Sequence, residues 1–109
     1  MEGNNNKIMF HYEIKVADNF FKKLVGLLGR KNMRQNEGLL LKNCSSIHCF
    51  FMRFPIDVVY LSKDMIVIFI ETVAPWRVGR LIRGTKHILE LDQGGANHLR
   101  VGDRLLIKY

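Results

Sequence analysis

Apolar and polar residues alternate along segment 8–16, near the start of the chain. Apolar side chains fall at every second position there, and this period of two predicts a strand with one buried face. After Asp18, a candidate helix N-cap, the apolar positions follow helical spacing as far as Gly29, which supplies the stop. The pattern therefore predicts one strand followed by one main helix. The strand positions are Ile8, Phe10, Tyr12, Ile14 and Val16, and the helical face contains Phe20, Leu24, Leu27 and Leu28.

Short apolar runs separated by turn-forming residues occupy the rest of the chain. They predict strands at 38–41, 47–52, 58–61, 65–71, 87–91 and 104–109. With the first strand and the helix, they indicate a β-rich α+β fold. We expect a small, mostly antiparallel curled sheet, or a partly closed barrel, with one main helix. Residues 1–6 are expected to be a disordered tail, and residues 7–109 a single globular domain.

Two connections have specific expectations. In Val101-Gly102-Asp103, Gly102 is expected to take a positive φ and Asp103 to bond the backbone, as in an ordinary structural turn. Segment 77–84 is the longest stretch without a strand or helix pattern, and it is basic and contains glycine. It is predicted to be a mobile loop.

The distribution of charged residues indicates which classes of partner the protein could attract. The 109 residues carry a formal net charge of +7, and four basic residues with no acid lie between positions 72 and 89. Such clustering attracts polyanions. No nucleic-acid-binding motif accompanies it, so a nucleic-acid binder acting through the Arg77–Lys86 loop is the weaker alternative to a basic, solvated surface. No apolar run approaches the roughly 18 residues of a membrane helix, and the start lacks a secretion signal, so a cytoplasmic location without a membrane span is expected.

Two thiols and an imidazole stand close together as Cys44, His48 and Cys49. A strand at this point would put His48 and Cys49 on opposite faces, and a structural zinc site needs four ligands. We therefore predict no metal, no other cofactor and reduced thiols. A hydrolase-like or thiol enzyme using Asp57 with His48 or Cys44 stays open as an alternative.

A rigid bend is predicted where Arg53 and Asp57 flank Phe54-Pro55-Ile56, because Pro55 fixes its own φ and holds the preceding residue extended. Asp57 is expected to accept backbone N–H groups across the bend or to pair with Arg53; the alternative is a carboxylate at the lip of a pocket. Trp76 and Arg77 stand together beside the basic loop, a combination found in partner sites and in core lids alike.

These segments carry a resemblance to a known family. Residues 44–58 are similar to the "SIH-x-FFM-x-x-PID" stretch of the domain of unknown function 192 family, small bacterial and archaeal proteins. Segments 26–30, 38–40, 75–77, 89–94 and 101–105 resemble its other motifs in the same order. Asp92 stands where proline is usual, and Met65 where a hairpin glycine is common. The resemblance implies a compact β-rich fold with one main helix, and it implies no enzyme.

Together, these features predict a small non-enzymatic binding or accessory module for an anionic ligand or a protein segment. No catalytic residue is assigned. The candidate ligand-binding residues surround the Pro55 bend and the start of the basic loop; they are His48, Met52, Arg53, Asp57, Trp76 and Arg77.

Overall fold

The computed structural model describes residues 7–10, 13–17, 37–45, 54–75 and 77–107. Within these residues the chain forms seven strands. They are β1 (Lys7–Phe10), β2 (Glu13–Ala17), β3 (Glu37–Leu41), β4 (Ile56–Leu61), β5 (Val67–Val73), β6 (His87–Asp92) and β7 (Arg104–Ile107). The predicted helix after Asp18 and the predicted strand at 47–52 lie outside the described residues.

The main sheet has the strand order β2-β3-β6-β4-β5, and β1 pairs with β7 beside it. Strands β3, β6, β4 and β5 pair in that order and are antiparallel to one another, whereas β2 lies parallel to β3. This confirms a β-rich, mainly antiparallel sheet. Among the described strands β2 and β5 are the two edges of the main sheet, which is open and not closed into a barrel. The single strand predicted at 8–16 is two strands with different partners.

Strand β4 lies at the centre of the core, and all six of its residues are buried. Because alternate side chains point to opposite faces of a sheet, β4 contributes to two apolar layers. The first core layer contains Leu41, Phe54, Ile56, Val58, Tyr60, Val73 and Ile88. The second core layer contains Leu40, Val59, Leu61, Val67, Leu89, Leu91, Ala96, Leu99 and Leu105. The two layers are the two faces of the sheet.

The turn before β7 connects β7 to the start of β5. Main-chain N–H groups of Val67 and Gly102 donate to the carbonyls of Asp103 and Val67, each at 2.8 Å. Gly102 has a φ of 100°, and Asp103 Oδ2 accepts the Arg100 N–H at 2.9 Å. Both roles expected for this turn are confirmed, because Gly102 has the positive φ and Asp103 bonds the backbone.

The β4–β5 hairpin contains an unusual backbone position. Met65 has a φ of 65°, in the left-handed region that glycine adopts without steric cost. This is the position at which the family resemblance led us to expect glycine. Its N–H donates to the Ser62 carbonyl at 3.0 Å, and its side chain packs against the second core layer. The hairpin therefore holds a packed methionine in a backbone conformation that is costly for residues other than glycine.

Gly95→Ala should destabilise the protein, because the turn after β6 leaves no room for a Cβ. An added Cβ would lie 2.7 Å from Asp92 Oδ1 and 2.9 Å from Leu91 Cβ. To relieve these two close contacts, the turn that covers the second core layer would have to shift. Overpacking of this kind costs about 1–3 kcal/mol of the free energy of unfolding. Urea unfolding measures the loss.

Gln93→Ala is the matched control, since Gln93 is exposed in the same turn. Its free energy of unfolding should stay near that of the parent. Equal stability of the two variants would contradict the close approach at Gly95.

Candidate functional site

Asp57 is buried at the start of β4, with 4% of its surface exposed. Its Oδ1 accepts the Thr72 hydroxyl at 2.7 Å, and its Oδ2 accepts the N–H groups of Gly94 and Ala96 at 3.0 and 3.2 Å. The carboxylate thus joins β4, β5 and the turn after β6. It accepts backbone N–H groups as expected, but these come from a turn distant in sequence and not from the Pro55 bend.

A second carboxylate lies beside Asp57. Asp92 Oδ1 is buried and has no hydrogen-bond partner among the described residues. Burial raises the pKa of Asp92, a hydrogen bond from its own backbone opposes this, and the nearby Asp57 charge raises the pKa further. The two acids therefore differ: the carboxylate of Asp57 is held by three donors, whereas burial and the Asp57 charge disfavour the ionised form of Asp92.

The other predicted site residues divide into two groups. Arg77 is exposed and donates its N–H to the Ala74 carbonyl at 3.2 Å, whereas the described hydrogen-bond partners of Asp57 are Thr72, Gly94 and Ala96. Cys44, considered for thiol chemistry, packs against the first core layer, and its N–H donates to the Lys86 carbonyl at 3.0 Å. The remaining candidates lie outside the described residues; they are His48, Met52, Arg53 and Trp76.

Residues 77–86 form what we call the basic loop, which lies against the first face of the sheet. The Arg80 N–H donates to Glu71 Oε2 at 2.8 Å, and its guanidinium lies 5.7 Å from the centre of the Phe69 ring. Ile82 packs against the first core layer, and the Lys86 N–H donates to the Leu61 carbonyl at 2.8 Å. The described part of the loop is therefore attached at its middle and at its end.

The residues between these attachments point outward. The Leu81 side chain is 79% exposed, and Val78 is 52% exposed. Arg77, Arg83 and Lys86 are also exposed. Within the described part of the chain, none of these three cations makes an ion pair, and the ion pair of the loop is the one between Arg80 Nε and Glu71 Oε1 at 3.9 Å. The loop thus presents apolar and cationic side chains together.

A groove opens at the tip of the basic loop. Its volume is about 370 Å³, it is largely open to solvent, and the residues that line it are Ser45, Leu81, Ile82, Arg83, Gly84 and Thr85. The Thr85 N–H donates to the Ile82 carbonyl at 3.2 Å, and Gly84 has a φ of 90°, as the third residue of a type II turn requires. Thr85 Oγ1 is buried and has no hydrogen-bond partner among the described residues. We call this the Thr85 groove.

His87 lies directly after the basic loop. Its Nδ1 accepts the Asn43 N–H at 3.1 Å. Burial, and then the charges of Lys42 and Lys86, lower the pKa of His87. The imidazole is therefore kept neutral in a positively charged neighbourhood.

With this geometry described, the chain can be compared with known proteins. The sequence profile of the DUF192 family, "Uncharacterized ACR", matches residues 2–107. The chain belongs to the DUF192 family.

Related proteins agree with this assignment. A "UPF0127 protein" of Pyrococcus furiosus is 36% identical over 98 residues, which are 85% of this chain and 84% of that protein. A second, from Thermococcus sibiricus, is 33% identical and covers 84% of this chain and 64% of its own length. A crystal structure of a protein of unknown function from Novosphingobium aromaticivorans shares the fold, with a TM-score of 0.71 and 18% identity over 84% of this chain and 71% of that one. These comparisons establish family and fold and assign no activity.

Two further properties concern the described residues only. They contain no helix long and apolar enough to cross a membrane. They contain no group of three or more His, Cys, Asp or Glu residues that could hold a metal ion.

Sequence reasoning missed part of the site. Ser45 and Thr85 were not singled out, because an isolated hydroxyl carries no signal until the fold places it in a groove. Leu81 could have been found from the apolar pair between Arg80 and Arg83, which no strand pattern absorbs. Glu90, part of the family resemblance, is fully buried between Leu39 and Val58, and it was assigned no role.

Asp57→Asn should be destabilising, whereas Asp92→Asn should not. An amide at 57 keeps one acceptor oxygen for three donors, so we expect a loss of about 1–3 kcal/mol in the free energy of unfolding. An amide at 92 removes a poorly compensated charge beside Asp57, so stability at neutral pH should stay equal or rise. Urea unfolding of both variants at pH 7 measures the difference. If Asp57→Asn were as stable as Asp92→Asn, Asp57 would not hold the turn.

His87 should make stability fall at mildly acidic pH. Its folded pKa is lowered from the ordinary value of 6.5, so below that pH the unfolded chain binds the proton more readily. The contribution is fully present above pH 6.5 and is lost as the pH falls from there toward the folded pKa. Thermal unfolding across this range should show the fall.

His87→Asn keeps a hydrogen-bond acceptor near Asn43 and cannot titrate, so its melting temperature should depend less on pH in this window. Gln93→Asn, which changes an exposed side chain that cannot titrate, is the control and should keep the parent profile. Identical profiles for the parent and His87→Asn would exclude His87 as the source.

Proposed function

We propose that this chain is a non-catalytic binding module that holds an anionic ligand or protein segment on the basic loop. The observation that carries the proposal is the set of exposed cations Arg77, Arg83 and Lys86 on the basic loop, of which Arg83 lines the Thr85 groove, without an ion-paired acid among the described residues. Like charges on one loop repel one another, and a bound anion would offset that repulsion.

The geometry of Asp57 supports a non-catalytic role. A general acid or base must reach a proton on a bound substrate. Both oxygens of Asp57 are already hydrogen-bonded to Thr72, Gly94 and Ala96, inside the protein. Using Asp57 for catalysis would break the contacts that hold the turn.

The attachments of the basic loop also favour binding. Arg80 and Ile82 fix the loop against the sheet, so the outward side chains lose less conformational freedom when a partner binds. The groove volume of about 370 Å³ lies at the lower end of the range of small-ligand and side-chain pockets. A preformed basic surface with a groove is suited to binding an anion.

A labelled oligoglutamate peptide tests the proposal. Replacing Arg77, Arg83 and Lys86 together with Gln should lower its affinity about tenfold, because each exposed charge contributes about 0.5 kcal/mol at low salt. Fluorescence anisotropy at low ionic strength measures the change, and added salt should weaken binding to the parent. Arg80 is left intact because its guanidinium contacts Glu71 and the Phe69 ring.

The matched control replaces Lys63, Arg100 and Arg104, which are exposed outside the loop, with Gln. It removes the same charge and should bind like the parent. Equal losses in the two triple variants would mean that net charge alone attracts the peptide, and the proposed site would be wrong. A labelled random DNA duplex, measured in parallel, tests the nucleic-acid alternative. DNA binding that is tighter than peptide binding and that is lost in the Arg77/Arg83/Lys86 variant would favour this alternative.

A further inference from the structure

The basic loop carries more than charge. Leu81 is 79% exposed and Val78 is 52% exposed, although residues on both sides of Leu81 are held against the protein. Arg80 is bound by Glu71 and stacks on Phe69, and Ile82 packs against the first core layer. Leu81 is therefore held outward by its neighbours. An apolar side chain kept in water in this way is typical of an interaction surface.

We propose that the partner of this surface is an acidic protein segment that also carries a bulky apolar side chain. This rests on the proposed function and names the partner class. The acidic residues of the segment would meet Arg77, Arg83 and Lys86. Its apolar side chain would enter the Thr85 groove against Leu81 and Ile82. There it would bury apolar surface, a contribution to affinity that a purely charged segment cannot make.

The groove distinguishes a protein segment from other polyanions. The groove is a concave site of about 370 Å³, lined by the apolar side chains of Leu81 and Ile82 next to Arg83. A peptide can place an apolar side chain in such a site while its acidic residues meet the neighbouring cations. A lipid surface is flat and cannot fill a concave site, and a nucleic-acid backbone has no apolar side chain to contact Leu81. Charge complementarity and the groove thus favour a peptide.

Two labelled peptides with the same number of glutamates test the inference. One alternates Glu with Leu, and the other alternates Glu with Ser. The Glu-Leu peptide should bind the parent protein about tenfold more tightly, because it adds apolar contact to the same charges. Leu81→Ser should abolish this preference and leave binding of the Glu-Ser peptide unchanged.

Val101→Ser is the matched control, because Val101 is 65% exposed away from the loop. It should keep the preference of the parent. Both substitutions change exposed side chains, and unchanged melting temperatures would show that the variants are folded.

The outcomes separate this inference from the proposed function. Equal binding of the two peptides, with loss in the Arg77/Arg83/Lys86 variant, would overturn the inference and leave the proposed function intact. No binding of either peptide would overturn both. Binding to phosphatidylglycerol vesicles or duplex DNA that exceeds peptide binding and depends on Leu81 would overturn the protein-segment assignment.

Discussion

The carboxylate of Asp57 is the interaction on which the arrangement of the sheet depends. It is buried on the central strand and is bound by the Thr72 hydroxyl and by the N–H groups of Gly94 and Ala96. A buried carboxylate without such donors would cost several kcal/mol, and the two N–H groups would themselves lose a buried acceptor. The strand, its neighbour and the turn are therefore stable together. Ala96 is both a donor to the carboxylate and a member of the second core layer, so polar and apolar contacts fix the same turn.

The first face of the sheet is organised by a different acid. Glu71 accepts the Tyr60 hydroxyl at 2.5 Å and the Arg80 N–H at 2.8 Å. Tyr60 is fully buried in the first core layer, so Glu71 connects the core to a loop at the surface. This contact fixes the middle of the basic loop and leaves Leu81 outside. The face closed by Asp57 is covered by the chain's own turn, whereas the face organised by Glu71 carries the exposed surface on which binding is proposed.

Local signals in the sequence predicted local features of the fold. The turn before β7 was predicted correctly from Gly102 and Asp103, because a positive φ and a neighbouring acceptor are properties of adjacent residues. The departure at Met65 lies where the backbone has the conformation that glycine favours. Alternation predicted strands, but it could not show that segment 8–16 pairs with β7 at one end and with β3 at the other. Pairing depends on contacts between residues that are distant in sequence.

The candidate site was less predictable for the same reason. Asp57 was expected to accept N–H groups nearby, and it accepts them from residues 94 and 96, which only the fold brings close. The basic run from Arg77 to Lys86 was visible in the sequence, but its side chains look equivalent there. The fold distinguishes them by their contacts: the exposed Arg80 side chain lies 3.9 Å from Glu71 and over the Phe69 ring, whereas Arg83 and Lys86 make no ion pair among the described residues. Thr85 gave no signal at all, since its significance comes from burial at the groove.

Two acidic residues of the sheet are bound by groups of the protein itself, so they do not pair with Arg77, Arg83 or Lys86. Glu71 accepts hydrogen bonds from Tyr60 and Arg80, and Asp57 accepts a hydrogen bond from the turn on the opposite face. Arg77, Arg83 and Lys86 therefore have no ion-paired acid among the described residues, while burial, and then the charges of Lys42 and Lys86, lower the pKa of His87. Repulsion of this kind opposes folding. An acidic segment bound at the loop would remove that repulsion, so a surface that is costly for the isolated protein is the surface that gains most from a partner.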